Sequence, residues 1–153
     1  MKQTRSTNFS KTIKTEVVCP NDTNPMGILQ GGRLVQWMDI AAAVCAQTHS
    51  GKICVTASID TVSFKRPAYV GEIVTIEARI TRAFTTSMEI MVSAWSRSVT
   101  STKKHLISES YFTFVAIDED GKVSSVNTVK PTTLADRKHY DDAWRRKKKN
   151  RHT

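Results

Sequence analysis

The chain has 153 residues, 39% of them hydrophobic and 24% charged, with a formal net charge of +9. That length makes one domain able to bury about two-thirds of its unfolded surface, so neither disulfides nor a metal are needed to hold a core. No run approaches the ~18 apolar residues of a membrane span, and nothing apolar follows the N-terminal charges as in a secretory signal; Cys19, Cys45 and Cys54 include no C-x-x-C pair and fit a reduced, cytoplasmic setting.

In chain order, residues 1–11 read as a flexible basic lead-in to a single domain over 12–149, with 150–153 as a disordered tail. Thr12 to Val18 alternates as an opening strand, and Pro20-Asn21-Asp22-Thr23-Asn24-Pro25 is rich in turn formers, Asn24 before Pro25 being a turn initiator by default. A helix is expected from Gly31-Gly32 to Ser50, stopped by Gly51. Its stretch from Leu34 to Ala46 is apolar round nearly the whole circumference, which predicts a helix enclosed by the rest of the protein. Asp39 lies in the middle of it. An unpaired buried charge costs several kcal/mol, so a carboxylate kept there needs a partner, a proton or a purpose. His49 near the helix end suits the negative pole of the dipole.

Four strands then follow. Ile53 to Phe64 and Ile73 to Arg82 alternate, the second with Val74, Ile76, Ala78 and Ile80 on one face; Met88, Ile90, Val92 and Ala94 mark another inward face, and Tyr111 to Ile117 is apolar on both sides. Lys65-Arg66-Pro67 and Asp118-Glu119-Asp120-Gly121 supply turns. A last helix, Leu134 to Lys148, opens on a capping pair, Thr133 with Asp136. One strand, a long helix and four more strands give an α+β arrangement: an antiparallel sheet of about five long strands wrapped round a central helix, plus a C-terminal helix.

The positive charge is not spread over this body. Residues 137–153 hold eight of the 23 Lys and Arg against two acids, residues 1–14 hold four against none, and 15–136 hold eleven against twelve. A basic end such as Arg145-Arg146-Lys147-Lys148-Lys149 reads as a solvated extension, a site for a phosphorylated ligand or an RNA contact.

Asn24-Pro25-Met26-Gly27-Ile28-Leu29-Gln30-Gly31-Gly32-Arg33-Leu34-Val35-Gln36-Trp37-Met38-Asp39 resembles the N-x-x-G-x-x-x-G-G-x-x-x-x-W-M-D signature of the hot-dog-fold acyl-CoA thioesterases, in the branch of the cytosolic acyl-CoA hydrolases. Asp60 to Pro67, Val70-Gly71-Glu72, Thr86 to Glu89 and Tyr111 to Ala116 follow in that branch's order. The resemblance implies a hot-dog fold, hydrolysis of acyl-CoA to a free acid and CoA without metal or other cofactor, and a homodimer with the active site across its interface that assembles into a trimer of dimers. Gln30 departs from the pattern, since relatives place an aromatic residue or a histidine there, which bears on acyl-chain preference.

The residues themselves can supply such chemistry. Thioester hydrolysis needs an activated water or nucleophile, and donors where negative charge grows on the carbonyl oxygen. Gly31 and Gly32 offer backbone N–H groups at the positive end of a helix dipole; Asp39 is the general base or the nucleophile, and Asn24 positions water or carbonyl. Seven residues separate Gly32 from Asp39, roughly 10 Å along one helix axis. That is too far to hold one carbonyl, so the Asp39 serving a given Gly31-Gly32 pair is expected from a second copy across a two-fold axis. Lys65, Arg66, Ser87, Arg145 and Arg146 are the candidates for binding CoA.

Duller readings stand beside these. Asp39 pairs with Arg33 or an interface lysine, Gly31-Gly32 allows close packing, and the charged candidates are solvated surface. The four histidines lack metal-ligand spacing, and no serine sits in a G-x-S-x-G setting. The other functions the chain admits are a non-catalytic acyl-CoA sensor and a basic-tailed RNA-binding module. No DNA-binding helix-turn-helix segment fits before residue 14 and no RNP-type strand is present, so both are weaker than the hydrolase.

Overall fold

A computed structural model describes residues 3–151, apart from the side chain of Arg151. The elements are β1 (Thr4–Ser6), β2 (Thr12–Val17), α1 (Gly31–Ser50), β3 (Ile53–Ile59), β4 (Ser63–Phe64), β5 (Ile73–Ala83), β6 (Ser87–Arg97), β7 (His105–Ile117), β8 (Thr128–Lys130) and α2 (Leu134–Arg151). The main sheet is antiparallel in the order β2-β5-β6-β7-β3, with β4 continuing along β7, and it curls round α1. This is the expected α+β architecture.

Alternation decides which face is which. Val74, Ile76, Ala78 and Ile80 of β5 are buried, as are Met88, Ile90, Val92 and Ala94 of β6, and the register pairs Ile76 with Ala94 and Ala78 with Val92. They close on Leu34, Trp37, Met38, Ala41, Ala42, Cys45 and Ala46 of α1 in one core. Each fully buried Ile, Val or Met side chain contributes roughly 1.5–3 kcal/mol. The intervening residues meet α2 on the outer face: Arg79 pairs with Asp136 at 3.0 Å, and the Arg82 guanidinium lies 4.1 Å from the Tyr140 ring centroid. The caps follow the sequence, with Gly51 in the left-handed region at φ 68° and the Asp136 N–H donating to Thr133 Oγ1 at 3.0 Å.

Four expectations change. First, α1 is not enclosed: Ile40 and Val44 on it are 43% and 45% exposed, and they share this character with Ile53 (67%) and Val55 (46%) on the edge strand β3. The apolar run of α1 is wider than one copy of the chain can cover. Second, the strand expected over 53–64 breaks at 60–62, where the Asp60 N–H still donates to the Tyr111 carbonyl before Ser63 and Phe64 re-pair with β7. Third, β7 begins at His105 rather than near Tyr111, and pairs with both β6 and β3. Fourth, the expected lead-in forms β1, which pairs in parallel with β8, and a 3-10 turn over Thr7–Ser10 that buries Thr7 and Ser10. At the other end α2 includes residues 150 and 151; the rest of the expected tail, and residues 1 and 2, lie outside the described residues. Among the described residues no helix is long and apolar enough to cross a membrane.

Candidate active site

The N-terminus of α1 is left open by its own cap. Gln30 makes no side-chain cap; its amide donates instead to the Thr23 carbonyl at 2.9 Å. The first helical bond runs from Leu34 N–H to the Gln30 carbonyl, so the N–H groups of Gly31, Gly32 and Arg33 have no partner among the described residues. The two glycines differ. A Cβ on Gly31 would meet the Phe64 ring at 2.9 Å, so close packing accounts for that glycine, whereas a Cβ on Gly32 would meet nothing.

Asn24 stands in the loop before this helix end. Its Oδ1 accepts the N–H groups of Met26 at 2.9 Å and Ile28 at 3.2 Å, which builds the turn and fixes the amide plane. The turn role and a substrate role use different atoms. With Oδ1 engaged, the Nδ2 hydrogens are the ones left for a ligand.

Asp39 lies two turns further along the exposed stripe of α1. It is half-exposed rather than buried in the single chain, because α1 is open on that side. Its Oδ1 accepts the Thr56 hydroxyl at 2.8 Å, and its Oδ2 takes no hydrogen bond from a described residue. Among the described residues no ion pair joins it; Arg33, a potential partner, pairs with Asp22 at 3.3 Å. Thr56 went unsuspected in the sequence. It shares the inner face of β3 with buried Cys54, and a polar residue facing inward is a signal, but a register shift between Thr56 and Ser58 breaks the alternation that would have exposed it.

A cleft of about 410 Å³ opens beside Gly31, lined by Ile28, Leu29, Leu34, Phe64, Pro67 and Ala68, with Lys65 and Arg66 also on its wall. These two CoA-binding candidates are thus brought to the same place as Gly31. The other three are not. Ser87 is on the outer face of β6, bonded to Lys147 Nζ at 3.3 Å. Arg145 is 86% exposed and reaches Asp142 at 4.0 Å. Arg146 is committed to the fold: its Nε and Nη2 grip Glu89 at 2.9 and 2.7 Å, and its guanidinium lies 3.8 Å from the Tyr111 ring centroid.

His49 lies in the last turn of α1, at the helix end expected for it. It is fully buried, with Nε2 at 2.9 Å from the Asn127 carbonyl and a buried Nδ1 that has no partner among the described residues. A carbonyl only accepts, so Nε2 carries the proton. Burial holds its pKa below the usual histidine value, with the Asn127 bond opposing in part. Arg5 takes over at the helix end, donating to the carbonyls of Thr48 and His49, both at 2.9 Å. Burial likewise pushes the Cys45 thiol up to about 11, so it stays protonated inside the core. Among the described residues no three His, Cys, Asp or Glu side chains converge as a metal would require.

A sheet curled round one helix, with open N–H donors at the helix start and a carboxylate further along its exposed stripe, defines a hot-dog protein equipped for acyl transfer chemistry. The comparisons agree. Residues 26–102 match the model of the thioesterase superfamily. An uncharacterized acyl-CoA thioester hydrolase of Bacillus subtilis, YkhA, is 37% identical over 131 residues, 86% of this chain and 76% of that protein. Mouse acyl-coenzyme A thioesterase 11 is 35% identical over 133 residues, which span 87% of this chain but 22% of that longer protein. Among solved structures, an apo-hexameric acyl-CoA thioesterase superposes with a TM-score of 0.95 at 37% identity, covering 98% of this chain and 96% of that one. An acyl-CoA hydrolase from Staphylococcus aureus, in complex with butyryl coenzyme A, coenzyme A and coenzyme A disulfide, gives 0.92 at 36% identity over 97% of this chain and 91% of that one. The chain belongs to the thioesterase superfamily.

Proposed function

We propose that the protein is an acyl-CoA thioester hydrolase whose smallest active unit is a dimer. The observation that carries this reading is the pairing of Thr56 with Asp39 on the exposed stripe of α1, two turns from the open N–H donors of Gly31 and Gly32. The two groups suit opposite ends of one reaction but sit roughly 10 Å apart along the helix axis. A second copy, packed through the apolar faces of α1 and β3 with its helix antiparallel, brings its Asp39 to the first copy's glycines. Apolar residues exposed on both elements, Ile40, Val44, Ile53 and Val55, suit such an interface. Further assembly into a trimer of dimers accords with the hexameric form of the similar thioesterase.

In this arrangement the thioester carbonyl oxygen accepts from the glycine N–H groups and the Asn24 amide stands beside it. The partner copy's carboxylate, held by its Thr56 hydroxyl, takes a proton from water through the free Oδ2. The water oxygen attacks the carbonyl carbon, and charge passes to the oxygen facing the N–H groups. The C–S bond then breaks, leaving the acid, while the thiolate regains the proton as CoA. Direct attack by Asp39 on the carbonyl is the second route, favoured by the same free Oδ2. The cleft lined by Ile28, Leu34 and Phe64 suits an apolar acyl or pantetheine segment, with Lys65 and Arg66 available for phosphate. Support also comes from alanine mutants of the S. aureus hydrolase. An asparagine, an aspartate and a threonine were replaced there, in the same order and at the same spacing as Asn24, Asp39 and Thr56.

The test is thiol release from acetyl-, butyryl- and palmitoyl-CoA by wild type, Asp39→Asn and Asn24→Ala. Turnover by wild type, lowered about 10²–10⁴-fold in Asp39→Asn, is expected for loss of a general base; undiminished turnover by Asp39→Asn contradicts the assignment.

A further inference from the structure

The first turn of α1 carries its charges the wrong way round for a helix start. Its N–H donors serve a substrate only while they stay open, and a Ser, Thr or Asp at the cap would close them by accepting the N–H two or three residues on. Gln30 at the cap leaves them open, and the turn contains no acid. It contains a cation instead, Arg33, at the pole where positive charge is disfavoured. Both the missing acid and the misplaced cation are answered from outside the helix, by Asp22.

Asp22 ends a 3-10 turn over Pro20–Asp22. Its Oδ1 lies 3.3 Å from Arg33 Nε and its Oδ2 accepts the Cys19 N–H at 2.9 Å, with the carboxylate side chain only 13% exposed. Both oxygens are thus engaged, so the carboxylate sets negative charge near the pole of α1 and accepts none of the N–H groups of Gly31, Gly32 and Arg33. A capping acid inside the helix would do the first only by giving up the second. The backbone of the same residue completes the link: the Asp22 carbonyl accepts the Gln30 N–H at 2.9 Å, beside the bond from Gln30 Nε2 to the Thr23 carbonyl.

Asn24 follows two residues after Asp22, in a loop that closes on itself. Thr23 and Leu29 form a bridge across its base, the Asn24 N–H donates to the Ile28 carbonyl at 2.9 Å, and the Gly27 N–H donates to the Asn24 carbonyl at 2.9 Å. The far side of this loop rests on Ala68, whose carbonyl accepts the Leu29 N–H at 2.8 Å. Its near side is held to α1 through Asp22 and Gln30. The approach of the Asn24 amide to the open donors of Gly31 and Gly32 is therefore set by a bracket with one charged joint. Arg33 is 37% exposed, and an ion pair that far in solvent contributes little to stability, so the consequence of this one is positional.

We propose that Asp22 is a positioning residue of the reacting site: with Arg33 it holds the Asn24 loop against the first turn of α1, so that the Asn24 amide and the glycine N–H groups meet one thioester carbonyl. The assignment rests on the thioesterase reading. Its test is steady-state thiol release from butyryl-CoA, with melting temperatures, for the full chain and for Asp22→Asn, Arg33→Gln, the two together, and Asp22→Asn in the Asn24→Ala background. Asp22→Asn keeps an acceptor for the Cys19 N–H and the backbone bond to Gln30, and removes only the charged joint. The expected result is a kcat lowered about tenfold in either single variant, with KM within about twofold of wild type and the melting temperature little changed. The double variant falls no further than the singles, because each acts through the other. Once Asn24 is alanine, Asp22→Asn costs less than about twofold, since the group it positions is gone. An unchanged kcat in Asp22→Asn, or the same loss with and without the Asn24 amide, overturns the proposal.

Amide hydrogen exchange over residues 24–30, read by mass spectrometry, tests the bracket without reference to turnover. Asp22→Asn is expected to speed exchange of the Met26 and Ile28 N–H groups, which Asn24 Oδ1 holds, and of the Gln30 N–H, which the Asp22 carbonyl holds. Exchange equal to wild type overturns the proposal whatever the kinetics show. A wild type that hydrolyses no acyl-CoA removes the thioesterase reading, and faster exchange in Asp22→Asn then still supports the bracket.

Discussion

Two side chains carry most of what is distinctive here, and each does so because of what its partner leaves undone. The Thr56 hydroxyl occupies one carboxylate oxygen of Asp39 and orients the other. Thr56→Ala is expected to lower kcat about tenfold with KM little changed, since it removes orientation rather than the reacting group; a thiol-release assay reads this, and a change confined to KM would argue for a binding role. His49 is the opposite case, a group held silent. Its pKa is lowered on folding, so the unfolded chain binds the extra proton more readily, and the stability this contributes is present above the unfolded value of about 6.5 and is lost as pH falls below it. The urea midpoint of wild type should therefore fall between pH 7.5 and pH 5 more steeply than that of His49→Gln. Parallel slopes would mean that His49 takes up its proton as readily in the folded chain as in the unfolded one.

At the scale of elements, α2 is fastened to the sheet by polar as much as apolar contacts. Glu89 is 6% exposed and accepts Arg146 at two atoms and the Thr81 hydroxyl at 2.5 Å. Arg146→Ala leaves that carboxylate without its counter-charge and is expected to destabilise the fold by about 2 kcal/mol, measurable by urea unfolding; a change below about 0.5 kcal/mol, the usual size for a surface site, would show that α2 does not depend on it. Much at this scale was legible in the sequence. The alternation over Val74 to Ile80 gave a strand face correctly because that strand is central and half-solvated, and Gly51 and Thr133 marked helix ends because caps are local chemistry. What was not legible depended on distant pairing. The break at 60–62 and the extra residue at Ala57 follow from how β3 and β4 lie against β7, and β1 exists only because β8 lies beside it. Arg146 could not be told from Arg145 by sequence, since both are basic neighbours and only the fold faces one of them with Glu89.

On the proposed reading the whole molecule is half of an active unit. The apolar circumference of α1 predicts enclosure, and a single copy of the chain does not supply it: Ile40 and Val44 stand exposed on α1, as do the edge residues Ile53 and Val55 on β3. Val44→Asp is expected to convert the protein to a monomer in sedimentation while also lowering turnover to near background, because a buried charge at a two-fold contact is met by its own copy; a folded, fully active monomer would contradict the dimeric site. The most direct measurement is complementation. Asn24→Ala and Asp39→Asn subunits, each inactive alone, are mixed under conditions that exchange subunits, and turnover is followed. A site shared between copies restores about a quarter of wild-type activity, since half the random dimers are hybrids and each hybrid rebuilds one of its two sites. No recovery, with exchange verified, would place the asparagine and the aspartate in the same subunit's site.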